Sequence, residues 1–66
     1  MEFMNRLKEL RSSKNLTQLE LANQIGFSMS IVNKWENGKK LPSTQAIMAL
    51  AKYFKETTDY ILGLQE

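Results

Sequence analysis

A hydroxyl residue stands directly before four separate helical stretches of this chain, at Thr17, Ser28, Ser43 and Thr57. A serine or threonine there can accept a hydrogen bond from one of the backbone N–H groups that open a helix, so each marks a start. After Thr17 the signal is doubled, because Glu20 sits where its carboxylate can reach back to the Thr17 amide in a capping box. Stops alternate with the starts: Asn15 and Gly26 suit a left-handed residue at a helix end, and Gly38 closes the third segment. Pro42 holds Leu41 extended in the loop that follows. No stretch alternates apolar and polar residues in the manner of a strand, so the reading is all-helical.

The segments take definite bounds. The first helix runs from about Phe3 to Lys14, with Phe3, Leu7, Leu10 and Arg11 on one face. The second follows Thr17 to about Ile25, the third covers about 29–37, the fourth runs from Thr44 to about Phe54, and the fifth from Thr58 to Leu62. Leu7, Leu10, Leu21, Ala22, Ile25, Val32, Trp35, Ile47, Leu50, Ala51, Phe54, Tyr60 and Leu62 are the expected core. Residues 1–66 read as one domain, without internal repeat or linker. A chain of this size buries only about 60% of the surface its unfolded form exposes, so its stability is expected to be modest.

Composition removes whole classes of function. With no cysteine and no histidine, the chain lacks thiolate ligands, disulfides, the commonest general base and the commonest metal ligand. No pair of carboxylates lies in an apolar stretch that would shift a pKa, so no enzyme, metal site or cofactor is expected. No apolar run approaches the ~18 residues of a membrane span, and the first residues lack the order of a signal peptide. A cytoplasmic protein is expected. The net charge of +2 is small but unevenly spread. From Arg6 to Lys55 nine basic residues against three acids leave +6, while the flanks carry −4. Such a body could face a polyanion, or could be ordinary solvated surface.

The third helix discriminates between these readings. Projected at 100° per residue, Ser28, Ile31, Val32 and Trp35 fall on one side with Glu36 at its edge; Ser30, Asn33, Lys34 and Asn37 fall on the other, with Met29 at its edge. The apolar neighbours of Trp35 assign it to the core. The outer side offers a hydroxyl, carboxamides and an ammonium but no acid, a set that DNA base edges and phosphates accept. An ordinary surface helix more often carries Glu/Lys pairs. Two short helices joined at Gly26-Phe27-Ser28 also trace the outline of a helix-turn-helix.

The ordered string Leu16-Thr17-Gln18, Leu21-Ala22, Ile25-Gly26-Phe27-Ser28, Trp35-Glu36-Asn37-Gly38-Lys39, Pro42 and Thr58-Asp59-Tyr60-Ile61-Leu62-Gly63 resembles the phage repressor/Cro type, or XRE-like, helix-turn-helix. The likeness runs from about Met4 to Gly63. It implies a five-helix bundle of the lambda-repressor-like type in which the second and third helices form the helix-turn-helix. It further implies that Met29, Ser30, Asn33 and Lys34 read bases, that Gln18, Ser28, Asn37, Lys39 and Lys40 hold phosphates, and that Arg11 and Glu36 form an ion pair. Gln18 at a helix N-terminus suits a phosphate on physical grounds as well. Met29 departs from the long polar residue common there; it could pack on a thymine methyl or beside Phe27. Lys55-Glu56 replaces the usual Gly or Asn followed by an apolar residue.

The function implied is a double-stranded DNA-binding transcription regulator, expected to be a repressor. One module makes few contacts, so a homodimer on a pseudo-palindromic operator is expected, with Leu41, Tyr60, Ile61 and Leu64 as candidate dimer contacts. The alternatives are an antitoxin or similar regulator that also holds a protein partner, and an interaction module that has lost DNA binding.

Overall fold

A computed structural model describes residues 2–64. Its helices follow the caps: α1 Glu2–Ser13, α2 Gln18–Ile25, α3 Met29–Glu36, α4 Thr44–Phe54 and α5 Thr58–Ile61. Thr17, Ser28, Ser43 and Thr57 are all N-caps, each hydroxyl accepting from the N–H three residues on. The capping box of α2 is complete: Glu20 N–H donates to Thr17 Oγ1 at 3.1 Å, and Thr17 N–H donates to Glu20 Oε1 at 2.8 Å.

One stop closes every helix. A residue with positive φ follows each of them, at Asn15, Gly26, Gly38, Lys55 and Gly63. The N–H of the next residue then donates to the carbonyl five positions back, from Leu16 to Arg11, Phe27 to Ala22, Lys39 to Lys34, Glu56 to Ala51 and Leu64 to Asp59. These bonds satisfy carbonyls that the helix itself leaves open. At Gly63 the turn also demands closeness, since a Cβ there would overlap the Cβ of Glu2.

Helices of eight to twelve residues are marginal in water on their own, so packing must hold these. Helix α3 packs on α1 and α2, α4 on α2 and α5, and α5 on α1. Trp35 lies at the junction of the first three, with the Phe3 and Phe27 ring centroids 6.3 and 5.5 Å from its own. Phe3, Leu7, Leu21, Ala22, Val32, Ala46, Leu50, Phe54 and Ile61 complete the buried core. Leu10, Ile25, Ala51 and Leu62 pack around its margin. Among the described residues there is no strand, and no helix is long and apolar enough to cross a membrane.

Two expectations need correction at α5. Ile61, a candidate dimer contact, is 0% exposed and belongs to the core, while Tyr60, expected in the core, is half-buried and meets Arg6 of α1 instead. Tyr60 is already engaged within the chain. Arg6 lays its guanidinium 3.8 Å from the Tyr60 ring centroid and donates from Nη1 to the Tyr60 carbonyl at 2.6 Å, which ties α5 to α1.

Candidate nucleic-acid interface

Val32 and Trp35 anchor α3 in the core and thereby fix which of its side chains face outward. Met29, Ser30, Asn33, Lys34 and Asn37 are all exposed, Met29 at 49%. Ile31 is half-buried against the core. Ser28 Oγ accepts from Ile31 N–H at 3.2 Å and keeps its own proton for an outside acceptor. Past the Asn37 cap, the Gly38 turn is followed by Lys39 and Lys40, both exposed. Lys34, Lys39 and Lys40 form no ion pair with any described residue.

The acid of α3 is placed where it cannot oppose a polyanion. Glu36 is 2% exposed and its carboxylate is enclosed by donors. Arg11 Nε donates to Oε2 at 2.6 Å and Arg11 Nη2 to Oε1 at 2.9 Å, a bidentate pair that joins α1 to the end of α3. A third guanidinium bond, from Nη1 to the Leu16 carbonyl at 2.6 Å, ties in the loop before α2. The hydrogen bond to Glu36 raises the Arg11 pKa above its ordinary value, outweighing the opposing effect of burial. The ion pair expected between these residues is thus present and buried on the glutamate side.

Gln18 does more than stand at the N-terminus of α2. Its Nε2 donates to Glu36 Oε1 at 3.1 Å, and its Oε1 accepts from Asn33 Nδ2 at 3.2 Å. Asn37 Nδ2 donates to Asn33 Oδ1 at 3.1 Å. Residues assigned separately to phosphates and to bases are therefore connected side by side. No local signal announces these links, because the partners lie on different helices. Leu41 and Leu64 stand out into solvent at 65% and 75% exposure.

A short helix held behind by its apolar face, a glycine turn before it, and an outward surface of cations and amides define a helix-turn-helix. The helix-turn-helix family model matches residues 7–61, and the chain belongs to that family. It is 41% identical over 66 residues to the HTH-type transcriptional activator BcrR of Enterococcus faecalis, covering all of this chain and 32% of that protein. It is 30% identical over 63 residues to the cryptic phage CTXphi transcriptional repressor RstR of Vibrio cholerae, covering 96% of this chain and 56% of the relative. The solution structure of the SOS-response transcriptional repressor LexA from Eubacterium rectale superposes with a TM-score of 0.85 and 32% identity, over 91% of this chain and 64% of that one. The chain thus spans only part of each of these proteins, from 32% to 64% of their length.

Proposed function

We propose that this chain is the operator-binding domain of a transcription regulator, entering the major groove of duplex DNA with α3. The observation that carries this reading is the sorting of charge on α3: its acid is buried and bonded to Arg11, while Lys34 and the following Lys39 and Lys40 remain exposed. An α-helix fits the major groove, and donor-rich side chains on its outer face meet the acceptors there. Met29, Ser30, Asn33 and Lys34 are the base-facing set. Gln18, Ser28, Asn37, Lys39 and Lys40 flank them as phosphate contacts that fix register. The two relatives named as an activator and a repressor support occupancy of DNA as the shared task, so the expected repressor role narrows to binding an operator.

Specificity at genomic scale favours two copies on a two-fold site, with recognition helices one turn, about 34 Å, apart. Of the four candidate contacts, Leu64 and Leu41 are exposed and free to meet across a two-fold axis; Tyr60 is partly covered by Arg6 and Ile61 is buried. The DNA it binds would lie in the cytoplasm, where the protein is placed on this reading. Selection of bound sequences from random duplex DNA tests the proposal. Enrichment of a two-fold symmetric site supports both DNA reading and pairing. A single asymmetric half-site would retain the first and remove the second. No enriched sequence at all would overturn the proposal in favour of a partner-binding role.

A further inference from the structure

The outer face of α3 is wired to a buried charge. The line begins at the Arg11-bound carboxylate of Glu36, passes to Gln18, then to Asn33 and ends at Asn37 in solvent, with successive amide links of 3.1, 3.2 and 3.1 Å. Direction is imposed at the buried end. An ionised carboxylate can only accept, so Gln18 must turn its NH2 toward Glu36 and its Oε1 away. That oxygen accepts from Asn33, which turns the Asn33 NH2 inward and leaves Oδ1 to accept from Asn37. A carboxamide with no such neighbour presents either end with little preference. Here one buried acceptor orients three of them.

The orientation leaves Asn33 with a definite hydrogen-bonding remainder. Its amide has two N–H donors and its oxygen two lone pairs, and one of each is used inside the protein. One donor and one acceptor are left on the same planar group. In the major groove adenine presents an acceptor, N7, beside a donor, N6–H; guanine presents two acceptors, and neither pyrimidine presents both kinds. We propose, building on the assignment of α3 as the recognition helix, that Asn33 reads an adenine and that Gln18 and Glu36 are positioning residues for this contact. Glu36 is enclosed in the protein and acts on the base only through the two amides.

Affinity ratios between duplexes that differ at a single base pair test this, because a lost phosphate contact weakens both members of a pair alike. Asn33→Ala first locates the position: adenine preference should disappear at one base pair of each half-site. Gln18→Met keeps the length of the side chain but removes both amide links. It should lower the adenine ratio at that same position about fivefold, the size of one modest hydrogen bond, and leave the ratio at the base read by Lys34 unchanged. Glu36→Gln, whose amide can donate as well as accept, should erode the same ratio, with Trp35 fluorescence confirming that α3 remains packed. If Gln18→Met weakens all duplexes equally and the ratio stands, Gln18 is a phosphate contact alone and the relay is refuted while α3 still reads DNA. If Asn33→Ala alters no preference, or alters a preference for another base, the assignment of Asn33 itself falls.

Discussion

The joint between α2 and α3 and the joint between α4 and α5 have the same backbone and different residues. Each closes with a left-handed residue, and each sends two successive N–H groups back to one carbonyl, that of Ala22 in the first and of Ala51 in the second. At the first joint the residue is Gly26, with φ 77°; at the second it is Lys55, with φ 58°. A Cβ added at Gly26 would meet no atom within 4 Å, so glycine answers only to the backbone there. Lys55 adopts the same conformation with a Cβ, at a cost of about 1 kcal/mol. The helix that bears the candidate DNA contacts is thus joined without strain, while the short α5 is held in a strained corner by the buried Ile61 and the Arg6–Tyr60 tie. The difference shows that turn geometry can be kept while its residue is not, provided packing beyond the turn supplies the hold.

The largest expected effect comes from the two arginines of α1, one serving each region. Arg11→Ala strands the buried Glu36 carboxylate and should lower stability by about 3 kcal/mol. Arg6→Ala removes a ring contact and a carbonyl hydrogen bond at the α5 side and should cost about 1 kcal/mol. Urea unfolding of both variants gives the ranking, and equal losses would erase the distinction between a buried charge tie and a partly exposed one. A raised arginine pKa contributes stability that is fully present below the unfolded value and lost only as pH rises through the folded one. Both values lie in strongly alkaline solution, so the Arg11→Ala deficit should be constant from roughly pH 7 to 10.

The turns themselves should give smaller effects of opposite sign. Gly26→Ala should destabilise by about 1 kcal/mol through φ alone. Lys55→Gly relieves the same strain and should stabilise, by about 0.5 kcal/mol after the added freedom of the unfolded chain is counted. A loss of stability in Lys55→Gly would mean that the corner is not strained and that the comparison of the two joints fails.

What could be read from the residues alone follows physical locality. Caps and stops were legible because a hydroxyl, a capping carboxylate and a left-handed residue act within a few positions of themselves. The face of α3 was legible because eight residues give two turns of periodicity. Helix α5 has four residues, too few for a period, so Tyr60 was placed in the core and the fully buried Ile61 was assigned to a dimer contact. Ala46 is fully buried in α4, and a side chain as small as a methyl group does not signal this by its hydrophobic size. The chain from Glu36 through Gln18 to Asn33 was not legible, since Gln18 and Asn33 stand 15 residues apart and meet only when α2 folds against α3.

Whether α3 reads bases while the flanking loop holds phosphates is decided by measuring Lys34→Ala and Lys39→Ala on the same panel of single-base operator variants over a range of salt. Lys34→Ala is expected to change base preference at one position of each half-site, by about 1–3 kcal/mol. Lys39→Ala is expected to weaken every variant alike and to reduce the salt slope by about one unit. Unchanged preference in Lys34→Ala, or a base-specific loss in Lys39→Ala, would show that the two roles are not divided between α3 and the loop.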